Sequence, residues 1–115
     1  MAVTPSDLLT LTSQLMGDAQ ARLRELAMAS TNPDTIDSLI AQRDAIDAQQ
    51  RRIMRANLST IDNDPMVKKN IDQLTQLAGE LAAGVQEMRN ATNAIKAATS
   101  FVSVVARILP LLAIA

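Results

Sequence analysis

Seven apolar residues, Val67, Leu74, Leu81, Met88, Ile95, Val102 and Leu109, recur at intervals of seven through the second half of the chain. Ile71, Ala78, Val85, Thr92, Thr99 and Ala106 fall between them and complete an alternation of three and four. At 3.6 residues per turn, that spacing gathers one seam on a single side of an α-helix, whereas a strand would scatter it over both faces. The segment must therefore be helical, and its seam must be buried. An unbroken helix from Pro65 to Leu109 would run about 65–70 Å, nearly twice the length of a helix of about 25 residues. Two arrangements cover such a seam. The run breaks around Ala97 to Ser100 and folds back as a fourth helix, which is the expected arrangement, or it continues as one long helix whose far half meets a partner.

The rest of the chain supplies the elements that pack on it. Thr4-Pro5-Ser6-Asp7 has the pattern of a helix start: a capping hydroxyl, a proline in the first turn and an acid facing the positive helix end. Asn32-Pro33-Asp34 and Asp64-Pro65 repeat it. Leu9, Thr12, Met16, Ala19, Leu23 and Leu26 make an apolar stripe in the first helix, widened by Leu8 and Leu15. Ile36, Leu39, Ile40, Ile46, Ile53 and Met54 mark the second, with Arg43 and Gln50 interrupting its seam. The only aromatic residue is Phe101, so the core is built of Ala, Leu, Ile, Val and Met in closely spaced helices. The reading is an all-α chain of one domain, 1–115. It is an antiparallel helical bundle of three to four helices over roughly 5–30, 33–58, 65–98 and 99–112, the last two alternatively one long continuous helix. The short joints Ser30 to Asn32 and Ser59 to Asp64 make consecutive helices antiparallel neighbours.

Chemistry is thinly represented. The chain has no His, Cys or Tyr, which removes the commonest general base, metal ligand and thiol nucleophile. Most acids sit near helix starts or at spacings suited to surface pairs with bases, namely Asp18–Arg22, Arg43–Asp47, Asp47–Arg51 and Lys68–Asp72. Asp62-Asn63-Asp64 lacks the glycine and distal Glu of a calcium loop and suits a turn with a helix cap. No glycine-rich run suits a phosphate. The expectation is no enzymatic activity, no cofactor, no metal and no small-molecule substrate.

Three features point toward partners instead. Arg51, Arg52 and Arg55 close the second helix and Lys68 and Lys69 open the third, so a hairpin gathers these five charges at one end. With a net charge of −1 and no aromatics to stack on bases, nucleic acid is an unlikely partner for them. Ala78, Gly79, Ala82, Ala83 and Gly84 form a small-sided stretch that suits close helix packing. From Ala97 the chain reads AATSFVSVVARILPLLAIA, with Arg107 as its single charge. Phe101, Val102, Val104, Val105, Ile108, Leu109, Leu111, Leu112 and Ile114 make it hydrophobic on nearly all sides, and as a helix it would span about 30 Å, a bilayer core. Arg107 opposes a simple span, since a central Arg costs about 2.5–3.5 kcal/mol on insertion scales. The segment is read as a central core helix, with a membrane-active element and a face shared between subunits as alternatives.

Around Ser30-Thr31-Asn32-Pro33-Asp34, residues 8–58 resemble the helical hairpin of type III secretion needle subunits, which turn at a comparable Asn/Ser/Asp-Pro element. That resemblance implies a secreted, filament-forming subunit. The chain departs from it in its further long helix, its hydrophobic end and its lack of the family's aromatic residues. The residues themselves favour a non-enzymatic bundle that self-associates or binds a protein partner through the seam of the third helix. The alternatives are membrane association through the C-terminal segment and a secreted or filament-forming subunit. No secretory signal is read in Met1 to Leu15, so the default location is cytoplasmic. Leu81→Asp and Ile95→Asp should each unfold or dissociate the protein by placing a charge in the seam; a wild-type melting temperature in both would mean that the seam lies elsewhere.

Overall fold

A computed structural model describes residues 3–55 and 58–112, with side chains of 58–60 outside the description. The elements are α1 (Pro5–Ala29), α2 (Pro33–Met54), α3 (Leu58–Asn63), α4 (Pro65–Lys69), α5 (Ile71–Glu87) and α6 (Ala91–Leu111). Every described residue with regular structure is helical, which makes the chain an all-α bundle.

The starts follow from local hydrogen bonding. Thr4 Oγ1 accepts from the Asp7 N–H at 3.2 Å, and the Asp7 carboxylate accepts from the Thr4 N–H at 3.1 Å, a reciprocal box at the head of α1. Asn32 Oδ1 accepts from the N–H groups of Asp34 and Thr35 at 2.9 and 3.2 Å. Asp64 Oδ1 does the same for Met66 and Val67. Asn90 Oδ1 accepts from the Asn93 N–H at 2.9 Å and starts α6.

That last cap moves a boundary. The seam breaks at Met88–Asn90, not around Ala97–Ser100, and helix 65–98 resolves into α4 and α5, with residues 91–98 belonging to α6. Ala97 and Ala98 are buried in mid-helix, and the Thr99 hydroxyl donates to the Ile95 carbonyl at 2.9 Å, so the polar Thr99-Ser100 pair does not interrupt α6. The intervals of seven survive because α5 and α6 face one core and Met88, buried in the turn, keeps the register. Such spacing fits a hairpin as well as one continuous helix. The second helix also stops earlier than expected, at Met54, and α3 precedes the Asp64 cap.

Two antiparallel hairpins, α1–α2 and α5–α6, lie side by side. Around the bundle the order is α1, α2, α6, α5, with α1 also touching α6 through the centre. Gln42 Nε2 donates to Thr99 Oγ1 at 3.2 Å and Gln49 Nε2 to the Val102 carbonyl at 3.0 Å, so α2 and α6 run parallel. Ser6 bonds to Asp62 just ahead of α5, and Arg22 bonds to the end of α5, so α1 and α5 are parallel too. α2 and α5 thus occupy opposite corners, and α3 and α4 form a crossover beneath the bundle, with α3 packed on α1. The short-joint expectation holds at Ser30 to Asn32, where α1 and α2 pair, but not at Ser59 to Asp64, across which α2 and α5 occupy opposite corners.

The bundle measures 49 × 23 × 18 Å. Met16, Leu23, Leu39, Ile46, Leu74, Leu81 and Phe101 fill its centre. A Cβ on Gly84 would stand 3.6 Å from the Phe101 ring, so a small residue there lets α5 close on α6. A Cβ on Gly79 would meet nothing within 4 Å. Gly79 therefore carries the helix-interior cost of glycine without a packing return. Gly79→Ala should raise stability by about 0.5–1 kcal/mol in urea unfolding, with an unchanged slope. Ile95 is only half-buried whereas Leu81 is fully buried, so Leu81→Asp should be the more damaging of the two seam charges.

Candidate functional site

Two polar ties from α1 determine how the hairpins meet, and neither announces itself in the sequence. At the lower end, where the crossover lies, the Asp62 carboxylate of α3 accepts from the Ser6 N–H at 2.8 Å and from its hydroxyl at 2.7 Å. A negative group is thereby placed on the free N–H groups of α1's first turn. At the upper end, Arg22 Nε donates to the Met88 carbonyl at 2.7 Å and Nη2 to that of Arg89 at 3.0 Å. The guanidinium covers the orphan carbonyls where α5 ends, and its positive charge complements the helix terminus. Its fork also reaches Glu25 at 3.2 Å, not the expected Asp18. Likewise Arg43 pairs with Asp44 instead of Asp47, while Asp47–Arg51 forms as expected at 2.9 Å. Lys68 and Asp72 form no ion pair among the described residues. These pairs are exposed and worth little individually.

The structure places the seam residues mostly inside. Val67, Leu74, Leu81, Met88 and Leu109 are buried, and Ile71, Val85, Ile95 and Val102 are half-buried around them. The large side chains of the seam are thus occupied by the chain's own core. The hydrophobic C-terminal segment behaves similarly. Phe101, Val105, Ile108, Leu109 and Leu112 are buried, Val102, Val104 and Leu111 are half-buried, and Ile114 lies outside the described residues. Thr99, Ser100, Ser103, Ala106 and Arg107 line the exposed side. α6 is therefore amphipathic, its outer face small and polar, and not hydrophobic all round. Its 21 residues and mean hydropathy of 1.5 would suffice to cross a bilayer, yet its bulk points inward here.

Arg51, Arg52, Arg55, Lys68 and Lys69 are all exposed at the lower end, contributed by α2's last turn and by α4. In the small-sided stretch only Ala78 is buried; Gly79 and Ala83 face solvent. No group of His, Cys, Asp and Glu that could hold a metal occurs among the described residues.

A surface groove of about 570 Å³ runs between α1 and the last turns of α2. Leu9, Ile53 and Met54 form its apolar part, and Ser13, Gln14, Asp18 and Gln50 its polar part. Gln50 is the residue that interrupts α2's seam. Its amide donates to the Ser13 carbonyl at 2.9 Å, and its oxygen accepts from Gln20 at 2.8 Å. Gly17 faces the Gln50 amide, which a Cβ there would meet at 3.8 Å, an ordinary contact. Gln42 and Gln49, seven apart, perform the same service toward α6, and their spacing is the signal by which sequence alone marks a polar seam.

Compared with known protein families, curated proteins and solved structures, the chain matches none.

Removing the Arg22 fork would leave the carbonyls of Met88 and Arg89 without their donor. Arg22→Ala should cost about 1–2 kcal/mol in equilibrium unfolding, a charged hydrogen-bond value reduced for partial exposure, and Arg22→Lys should recover part of it. Hydrogen exchange should quicken in the α5–α6 turn ahead of the rest.

Proposed function

We propose that this chain is a non-enzymatic interaction protein that binds a protein partner in the groove between α1 and α2. The residue types favour this class, and the groove is the observation that carries it: an open space with apolar and hydrogen-bonding side chains along its walls. Asp18 stands at its rim, exposed and without an ion pair among the described residues. The fitting occupant is an amphipathic helix that lays apolar side chains against the exposed Met54, over the edges of Leu9 and Ile53, and turns a Lys or Arg toward Asp18. Because the seam's large residues lie in the core, association through an outer groove requires no unfolding, whereas association through the seam itself would require the hairpins to part.

A photo-crosslinking residue at Gln14 tests this reading against the same residue at Ser38, which is exposed on α2 away from the groove. The expected result is a discrete adduct from Gln14 only, reduced about tenfold by Asp18→Lys. Equal yields at both positions, or an adduct indifferent to Asp18, would overturn the groove as the binding face. An adduct of twice the chain's mass would identify the partner as a second copy.

A further inference from the structure

The crossover brings together, at the lower end of the bundle, side chains that lie far apart in sequence. Val3, Met54 and Met66 are 49%, 74% and 65% exposed, although all are large and apolar. They come from the approach to α1, the last residue of α2 and the first turn of α4. Val3 and Lys68 line one shallow depression with Pro5 and Ile71. The cations described above stand among them, and Arg107, exposed near the end of α6, joins the same end.

The acids at this end are mostly turned to other work. Asp62 is bound to Ser6, Asp64 caps α4, and Asp47 holds Arg51. Arg55, Lys68 and Lys69 have no ion pair among the described residues. The outcome is a set of long apolar side chains projecting from helix ends, with basic groups beside them, instead of a lined groove.

From this juxtaposition we propose that the lower end docks on the surface of a bilayer containing anionic lipid. The methionines, unbranched and flexible, enter the headgroup boundary while the Arg and Lys groups meet lipid phosphates and carboxylates. Such a surface attracts each nearby Lys or Arg with a contribution of about fivefold in affinity, so several together suffice for reversible attachment. Nucleic acid is disfavoured because the chain's one aromatic side chain, Phe101, is buried and no base can stack on it. This attachment shares Met54 with the rim of the α1–α2 groove but otherwise uses other residues, and it leaves α6 in the core.

Flotation of the full chain with vesicles tests it. The protein should float with phosphatidylserine-rich vesicles, remain behind with pure phosphatidylcholine, and be released by high salt. Arg55→Glu/Lys68→Glu/Lys69→Glu should abolish flotation, and Met54→Ser/Met66→Ser should reduce it several-fold. All of these side chains are exposed, and unchanged circular dichroism would certify the fold. Arg24→Glu/Lys96→Glu, at the upper end, should float like the wild type. Failure of the wild type to float on anionic vesicles would overturn the proposal, as would equal loss from charge reversal at either end. Flotation that survives both high salt and the lower-end reversal would also overturn it, in favour of insertion of α6.

Discussion

Neither hairpin of this bundle can bury its apolar stripe alone. α5 and α6 meet through Gly84 and Phe101, and the remainder of their shared face, with Leu74, Leu81 and Val105, needs a second layer. α1 offers a continuous stripe through Leu9, Met16 and Leu23. α2 offers much less: only Leu39, Ile46 and Ile53 are buried, one residue every two turns. Burial of these stripes in one centre, in a chain with a single aromatic residue, requires backbones to approach closely, and the alanines Ala19, Ala78, Ala94 and Ala98 at buried positions permit it.

A narrow stripe on α2 leaves its flanks to be stabilised by other means. Gln50 reaches α1, and Gln42 and Gln49 reach α6, so amides replace side-chain burial along both edges. Hydrogen bonds of this kind add modest stability each but specify alignment, because a displaced helix would leave partly buried amides unpaired. The Asp62 and Arg22 ties do the same for α1 and α5 at opposite ends of the bundle. Parallel pairing of α1 with α5 forces the connection to cross a diagonal, and the short helices α3 and α4 are the form that crossing takes.

The same crossover shapes what remains on the surface. By ending α2 and restarting the chain at Asp64, it presents Met54 and Met66 to solvent beside the basic residues of both elements. The groove that holds Leu9, Ser13 and Gln50 lies close by, between α1 and the last turns of α2. The two surfaces adjoin at Met54, which lines the groove and stands among the exposed methionines.

Sequence alone determined the helical class, three of the four side-chain caps at helix starts and most of the core. Each rests on local hydrogen bonding or on spacing within one helix, which a chain displays without reference to its neighbours. The fourth cap, Asn90, lacks the adjacent proline that marks the others, so the heptad spacing runs through it without a local sign of a turn. Spacing records which side of a helix is apolar, but not whether two successive helices share direction, and that ambiguity placed the break too late. The amphipathic character of α6 was hidden similarly, because Ser, Thr and Ala count toward an apolar run until packing shows them on the outside. Tertiary structure decided the diagonal crossover and the Asp62 and Arg22 ties, since the ties join residues 56 and 66 positions apart that only the burial of a common core brings together.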